Sequence, residues 1–370
     1  MTALPIPLLP LIRSDFGLDY TQSGLVISAF SLAYGIGQLP AGWLTDRIGP
    51  RLLITISVCG VATAGLLIGL SQTYIMLIVL MALMGVLGGG YHPSAAPIIS
   101  ASVEPERRGR ALGIHMIGGS ASYFLAPLVA VGMASIWGWR GSFIGLAVPT
   151  IIFGIVFYML LGRRLPSKKA EFKTAVSHAE SPSASGRLRR LVILLVLSTS
   201  TGAIVLSTMS FIPLFLVDHF GIAKETAGAS IALIYSSGLW AGPLGGYFSD
   251  RWGRVPLLLA IGFIAGPAIY LLNLAPYGLG IGALLATIGV IIFIRVPVSE
   301  AYIADHTSVR NRSTILGIFY FSSIEGSSVI TPAIGYLIDQ LGFYPSFTIA
   351  GASLLAITLI CSILLWSNRD

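Results

Sequence analysis

The chain has 370 residues, of which 55% are hydrophobic and only 10% are charged, and its mean hydropathy is +0.86. A soluble domain of this size needs far more charge on its surface, so the composition excludes an ordinary soluble protein. The formal net charge of +7 does not indicate a nucleic-acid partner, because most of the basic residues lie between apolar segments. Cys59 and Cys361 lie within apolar segments and predict neither a disulfide nor a metal site.

Apolar runs of about 20 residues recur along the chain, which is the length that a helix needs to cross the hydrocarbon core of a bilayer. Because unpaired backbone groups are not tolerated in lipid, each run predicts a helix. The strands of an outer-membrane barrel would be about 10 residues long with alternating polarity, and the sequence shows neither feature. The predicted spans are 21–44, 52–72, 74–101, 111–136, 142–162, 191–217, 226–248, 255–275, 279–303, 314–338 and 345–367.

A charged signature occurs twice, 204 positions apart. The first copy is GWLTDRIGPR at residues 42–51, and the second is GYFSDRWGR at residues 246–254. Further pairs at the same offset are Phe16 with Phe220, Gly17 with Gly221, Pro93 with Pro297, and Gly138 with Gly342. Internal symmetry over most of a half-chain predicts a transporter built from two related bundles, which we call the first and second copies of the repeat.

The repeat also predicts an incomplete first helix. The span that begins near residue 191 would start before the first residue when it is shifted by the offset, so roughly 14 residues of the first helix are absent. Residues 1–12 can reach about halfway across a bilayer at 1.5 Å per residue, and we expect them on the extracellular half. Either the true start lies further upstream, or the protein works with a short first helix.

The doubled loop resembles the signature of the major facilitator superfamily, Gly-x-Leu-x-Asp-Arg-x-Gly followed by Arg, with Phe248 replacing Leu in the second copy. The resemblance covers nearly the whole chain. It implies an all-helical membrane protein of two pseudo-symmetric six-helix bundles, with the first helix truncated, that works by alternating access. Short runs that include Gly90-Tyr91-His92-Pro93 and His115 resemble the fosmidomycin-resistance-like branch of that superfamily.

Three segments are predicted: an N-terminal transmembrane bundle at 1–162, a basic linker at 163–190, and a C-terminal transmembrane bundle at 191–370. Of the 22 Lys and Arg residues, 18 lie on one side of the predicted topology. The positive-inside rule therefore places the motif loops, the linker and the C-terminus in the cytoplasm of a cell (inner or plasma) membrane. The linker is either solvated with little fixed structure or attracted to anionic lipid headgroups.

The charged loops are candidate gates. By the resemblance, their Asp and Arg side chains hold the cytoplasmic side closed in one state of the cycle. Exposed ion pairs are weak enough to break and remake in each cycle. The alternative is that these charges only determine topology. The gating candidates are Asp46, Arg47, Arg51, Asp250, Arg251 and Arg254 in the loops, and Glu300 at the cytoplasmic end of its span.

Ionisable residues inside the spans are candidate site residues, because they are costly in a membrane unless they have a function. Arg295 and Glu325 lie at similar depths, and their repeat counterparts are Tyr91 and Ala121, so the fold itself does not require them. One hypothesis is that Arg295 binds an anionic substrate and Glu325 exchanges a proton. The alternative is a permanent buried ion pair. Further substrate or proton candidates are Tyr91, His92 and His115, where either histidine could instead be a packed core residue.

The sequence therefore predicts a secondary transporter of a small organic solute and not an enzyme. We find no nucleotide-binding loop and no cofactor motif, so an ion gradient is the expected energy source. Proton-coupled efflux of an anionic or amphiphilic compound is the first hypothesis. Proton-driven uptake of a small organic anion and a ligand sensor without transport activity are the alternatives. The expected partners are the substrate, protons and the lipid bilayer, with the chain acting as a monomer.

Overall fold

The computed structural model describes residues 1–104, 107–164, 185–307 and 309–366, and these residues are almost entirely helical, with no strand among them. Most helices begin and end within a few residues of the predicted spans. The helices are α1 (Pro5–Phe16), α2 (Tyr20–Ile48), α3 (Pro50–Gly69), α4 (Tyr74–Gly88), α5 (Tyr91–Ala101), α6 (Arg108–Arg164), α7 (Ser185–Phe220), α8 (Lys224–Ala229), α9 (Ile231–Ser236), α10 (Ala241–Trp252), α11 (Arg254–Leu271), α12 (Leu279–His306), α13 (Val309–Leu341) and α14 (Phe343–Trp366).

Eight helical stretches of the described chain are long and apolar enough to cross a membrane. The longest, Ile114–Gly162, has 49 residues and is long enough for two crossings. Gly138 interrupts this stretch with a φ of 69° and a ψ of 171°, which confirms the predicted break between two spans. The other seven are Tyr20–Ile48, Pro50–Gly69, Tyr74–Ile99, Leu188–Phe220, Arg254–Leu271, Leu279–His306 and Phe343–Trp366.

The backbone conformation of several glycines also follows the repeat. Glycines with a positive φ recur at the 204-residue offset, at the ends of equivalent helices. The pairs are Gly17 and Gly221 with φ of 63° and 67°, Gly49 and Gly253 with 87° and 89°, and Gly138 and Gly342 with 69° and 81°. Only glycine adopts such a conformation without strain, so each pair ends or starts a helix at the same place in both copies.

The predicted span 226–248 is wrong as a single helix. It is divided into α8, α9, a 3-10 turn at Ser237–Leu239, and α10. Close packing against α12 accompanies the break, because a methyl group on Gly289 would lie 2.3 Å from the carbonyl oxygen of Ile234. A methyl group on Gly238 would likewise lie 2.8 Å from the ring of Phe293.

The ends of the predicted linker are helical rather than irregular. Helix α6 continues to Arg164 and α7 begins at Ser185, so the helices include both ends of the segment 163–190. The rest of the linker, residues 165–184, lies outside the described residues.

The chain forms two compact units. The first contains Met1–Ala170 and Ser210–Ala232, and the second contains Glu171–Met209 and Leu233–Asp370. Helix α7 therefore contributes to both units. The segment Ser210–Ala232 belongs to the second copy of the repeat by sequence and to the first unit by packing.

Small residues let α2 and α4 approach each other within the first unit. A methyl group on Gly85 would lie 2.3 Å from the carbonyl oxygen of Phe30, and one on Gly89 would lie 2.7 Å from the backbone of Gly37. Van der Waals contact is the main attraction between helices in lipid, so such close approach stabilises the bundle. The core beside this pair buries Trp139, Phe143, Leu8 and Met81, among other residues.

Candidate functional site

Arg295 is the most deeply buried charged residue of the second unit among those described. It lies on α12 with 4% exposure. Its Nη1 donates hydrogen bonds to the carbonyl oxygen of Ser198 at 2.9 Å and to the hydroxyl of Ser198 at 3.1 Å. That hydroxyl is 2.7 Å from the hydroxyl of Ser299, and the guanidinium is 5.7 Å from the ring centre of Phe319. Helices α7, α12 and α13 thus position the guanidinium together.

Gly202, one turn after Ser198 on α7, leaves the space that the guanidinium occupies. A methyl group on Gly202 would lie 2.5 Å from Nη2 and 2.6 Å from Cζ of Arg295. Any larger residue would therefore displace the guanidinium. Ser198 and Gly202 were not predicted, because small residues in an apolar run give no functional signal until their neighbour is known.

Glu325 lies on α13, in a tightly packed part of the second unit. Both of its carboxylate oxygens are shielded from solvent, and neither has a hydrogen-bond partner among the described residues. A methyl group on the adjacent Gly326 would lie 3.0 Å from the Cβ of Ala203 on α7. Further along α13, Thr331 donates a hydrogen bond of 3.0 Å to the Ser207 hydroxyl. Glu325 therefore lies in a part of α13 that packs closely against α7.

Arg295 and Glu325 do not form an ion pair. Among the described residues, no carboxylate oxygen lies within 4.0 Å of the Arg295 guanidinium. The alternative of a permanent buried pair between the two residues is therefore wrong for this structure. Arg295 is buried and Glu325 is partly buried with both carboxylate oxygens shielded, and the two lie apart within the same unit.

The aromatic and imidazole candidates of the first unit form one cluster. The ring of Tyr91 stacks on that of His115, with centroids 5.9 Å apart and an angle of 24°. The edge of the same ring meets His92 at 5.5 Å. The break between Gly88 of α4 and Tyr91 of α5 brings these rings to the start of a helix. Among the described residues, no three metal-binding side chains are grouped.

The second copy of the charged loop forms a cluster of ion pairs. Arg254, the first residue of α11, pairs with Asp305 of α12 and donates a hydrogen bond to the carbonyl oxygen of Ala301. Its Nη2 also lies 4.0 Å from Asp250, four residues earlier. Asp305 was not predicted, because nothing in the sequence shows that the end of α12 faces this loop. A cavity of about 770 Å³ adjoins the cluster, lined in part by Arg190, Asp250, Arg254, Tyr302, Asp305 and Trp366.

The first copy of the loop holds its last arginine differently. Arg51 donates two hydrogen bonds, of 2.8 and 3.1 Å, to the carbonyl oxygen of Tyr158 on α6, and its guanidinium lies 3.9 Å from the Tyr158 ring centre. Asp46 makes no ion pair within the described part of the chain, and the residue four positions later is Pro50 rather than arginine.

The middle arginines of the two loops make equivalent contacts. Arg47 lies over the ring of Trp43 at 4.3 Å, and Arg251 donates a hydrogen bond of 3.3 Å to the hydroxyl of Tyr247. Trp43 and Tyr247 are themselves related by the offset. Glu300, the remaining gating candidate, accepts a hydrogen bond from the Tyr320 hydroxyl of α13.

Known proteins resemble this chain along most of its length. A family model described as Major Facilitator Superfamily matches residues 1–294. The probable L-galactonate transporter of Escherichia coli (strain K12) is 32% identical over 153 residues, which are 41% of this chain and 34% of that protein. The probable sulfoacetate transporter SauU of Cupriavidus necator is 26% identical over 370 aligned positions, covering 93% of this chain and 85% of that protein. The multidrug resistance protein MdtG of Salmonella paratyphi C is 30% identical over 273 residues, covering 70% and 65%.

Solved structures share the fold at low sequence identity. A POT family transporter in complex with 5-aminolevulinic acid matches with a TM-score of 0.79 and 14% identity, over 100% of this chain and 93% of that chain. A bacterial homolog of the human lysosomal transporter Spinster, inward-facing and unoccupied, matches with a TM-score of 0.75 and 16% identity, over 99% and 92%. The sequence relatives are membrane transporters of small solutes and not enzymes. This chain belongs to the Major Facilitator Superfamily.

Proposed function

We propose that this transporter carries a small organic anion together with protons, and that Arg295 binds the anionic group. The observation that supports this proposal is a buried guanidinium with no carboxylate partner among the described residues. An uncompensated charge inside a membrane protein is costly and is retained where it has a function. The planar guanidinium is also the side chain best suited to bind a carboxylate or sulfonate through two parallel hydrogen bonds.

Two relatives agree with an anionic substrate. Their names refer to L-galactonate and sulfoacetate, which are both small organic anions. The hydrogen bonds of Arg295 to Ser198 use only Nη1, and no described residue accepts a hydrogen bond from Nε or Nη2. The guanidinium therefore has donors left for a substrate.

Glu325 is the proposed proton carrier. An ionised carboxylate buried without a hydrogen-bond donor is costly, whereas the protonated acid is tolerated. With a proton on Glu325 and an anion on Arg295, the loaded site carries no net charge from these groups. This neutrality favours movement of anion and proton in the same direction, so we place proton-driven uptake ahead of the export that the sequence alone favoured.

The remaining candidates have supporting roles in the proposal. The rings of Tyr91, His92 and His115, which lie together in the first unit, remain candidates for contact with a substrate or a proton. The two loops act as latches, with Arg254 bound more firmly than Arg51. Glu300 acts as a gate through its hydrogen bond with Tyr320. The chain works as a monomer in the inner or plasma membrane, with its motif loops in the cytoplasm and its bundles near 1–162 and 191–370.

Uptake into proteoliposomes tests the proposal. Radiolabelled sugar acids and sulfonated carboxylates are offered with an inward proton gradient, and a protonophore should abolish their accumulation. The Arg295→Gln variant should lose transport about 30-fold or more, as expected for removal of one partner of a buried charge contact. The matched control is Arg107→Gln, which changes an exposed arginine that pairs only with Glu104 in the described chain and should leave transport intact. Full transport by Arg295→Gln would refute the proposal.

Efflux of amphiphilic compounds is a second candidate, and the 30% identity to MdtG over 273 residues favours it. Uptake of a lipophilic cation by everted vesicles measures this activity. An equal uptake rate for the parent and for Arg295→Gln would support this candidate. The same result would contradict the anion site.

A further inference from the structure

The polar contacts between the segment Ser210–Ala232 and the start of the chain cross from one copy of the repeat to the other. Arg13 of α1 pairs with Asp218 of α7, and Tyr20 of α2 donates a hydrogen bond of 2.6 Å to the same carboxylate. Lys224 of α8 donates a hydrogen bond of 2.6 Å to the hydroxyl of Ser14. All five residues lie within the first unit. We call them the crossed latch.

Two of these contacts are symmetry mates. The 204-residue offset relates Ser14 to Asp218 and Tyr20 to Lys224. Tyr20 of the first copy donates to Asp218 of the second copy. Lys224, the equivalent of Tyr20, donates to Ser14, the equivalent of Asp218, in the first copy. Reciprocal contact of this kind is the mark of an interface across a two-fold axis. The latch is thus a contact between copies rather than a local loop contact.

The apolar surface behind the latch is closely packed. A methyl group on Gly228 of α8 would lie 2.2 Å from the carbonyl oxygen of Pro7 and 3.0 Å from the side chain of Val131 on α6. Ala227 and Leu8 are fully buried. The side chains of Arg13 and Asp218 remain 25% and 31% exposed. The partly exposed polar contacts of the latch therefore lie beside a closely packed apolar contact.

The latch lies far from the charged loops. Tyr20 is the first residue of α2 and Asp46 is near its last turn, so the 29 residues of the helix separate them by about 40 Å. A transporter that exposes its site to each side in turn needs a closure at each end. The charged loops are candidates for the closure at the end of the bundle where Asp46 lies. The end where Tyr20 lies needs a closure of its own.

We propose that the crossed latch of Arg13, Ser14, Tyr20, Asp218 and Lys224 is the gate at this second end, and that it breaks when α8 moves away from α1 during transport. Exposed pairs of this kind are individually weak, which suits contacts that must be remade in each cycle. This gate does not depend on which solute is carried, so it can be tested without a substrate.

Labelling of a buried cysteine measures the gate directly. Ala227→Cys is introduced after Cys59 and Cys361 are replaced by alanine, and the full chain in membrane vesicles is treated with a membrane-impermeant maleimide. Adding Asp218→Asn should raise the labelling rate about two- to fivefold, because a larger fraction of molecules is open. The matched control is Asp15→Asn, since Asp15 pairs with Arg140 at similar exposure but within the first copy alone. This control should leave the rate unchanged.

A charge reversal separates gating from misfolding. Arg13→Asp alone should label faster, and Arg13→Asp combined with Asp218→Arg should return the rate towards that of the parent. Equal acceleration by Asp218→Asn and Asp15→Asn would overturn the proposal, and so would a double variant that labels as fast as the single one. Neither outcome bears on Arg295, because no solute is present.

Discussion

The two charged loops share a backbone and differ in the partner of their last arginine. Gly49 and Gly253 have nearly the same φ, and each precedes a helix with a basic residue in its first turn. Arg254 is the first residue of α11, whereas Arg51 is the second residue of α3. One residue along a helix is a rotation of about 100°, so the two guanidinium groups point to different neighbours.

Because of that rotation, the two arginines bind different kinds of groups. Arg254 reaches carboxylates, at Asp305 and Asp250, and Arg51 reaches a carbonyl oxygen and a ring at Tyr158. The same division holds deeper in the chain, where Arg295 and Glu325 of the second copy correspond to Tyr91 and Ala121 of the first. The duplicated scaffold keeps the same glycine conformations at its helix ends, and it has these two membrane-embedded charges in the second copy only.

Glu325→Ala is the strongest way to break this asymmetry, because it gives the second copy the residue that the first has at the same position. We expect proton-driven accumulation to fall at least tenfold, to simple equilibration, while exchange of labelled for unlabelled anion continues. Flux assays in proteoliposomes with and without a pH gradient measure both. Glu104→Ala, at an exposed carboxylate, is the control, and unchanged accumulation by Glu325→Ala would remove Glu325 from the coupling path.

Gly202→Ala tests the contact between Gly202 and Arg295, which is found only in the second copy. The added methyl would lie 2.5 Å from Nη2 of Arg295 and should push the guanidinium away from its position. A displaced binding group should raise KM about tenfold while kcat changes less. Gly118→Ala, where a Cβ meets nothing within 4 Å, is the matched control. A KM equal to that of the parent would show that Arg295 need not occupy this place.

Arg254→Gln and Arg51→Gln compare the two loops themselves. Loss of a partly exposed ion pair should cost about 1 kcal/mol, or roughly fivefold in transport rate if the pair acts as a latch. Arg51→Gln should have a smaller effect, because it loses contacts to a carbonyl and a ring. Asp305→Asn should reproduce Arg254→Gln, and the double variant should be no worse than either single one. Additive effects would mean that the two side chains act independently.

Gly49→Ala and Gly253→Ala should have the smallest effects on transport and, above all, equal effects on stability. The φ and ψ angles are 87° and 148° at Gly49 and 89° and 150° at Gly253, a region that is nearly restricted to glycine, so an alanine there costs about 1–3 kcal/mol of folding free energy. Neither position has a close neighbour that a methyl group would strike, since the nearest atom is 3.5 Å from the built Cβ, at Gly253. Thermal unfolding in detergent measures the loss. A clearly unequal loss would show that the two loops differ in backbone energy as well as in side-chain contacts.

Most of the fold could be predicted from the sequence, because apolar length and the repeat both report on helices directly. The repeat in the sequence pairs Gly17 with Gly221 and Gly138 with Gly342, although it does not show that their φ values are positive. The division of the span 226–248 was not predictable. The break lies where Gly289 of α12 packs against the carbonyl oxygen of Ile234, and hydropathy carries no information about such packing.

The site was harder to predict than the fold. Arg295 and Glu325 could be found because charge is rare in membrane spans, but their separation could not. Whether two helices turn their charged residues towards each other is decided by packing around neighbours such as Gly202 and Ala203. Asp305 lies beyond the apolar part of its helix, where a carboxylate is unremarkable until the fold brings Arg254 beside it.

The membership of Ser210–Ala232 in the first unit has a consequence for biogenesis. Helices α1 to α6 leave the ribosome before the segment that completes their unit has been made. At about 5–20 residues per second, that segment follows only several seconds later. During this interval Pro7 and Val131 lack their close neighbour Gly228. The packing that Ser210–Ala232 adds to the first unit therefore forms only after α1 to α6 have been synthesised.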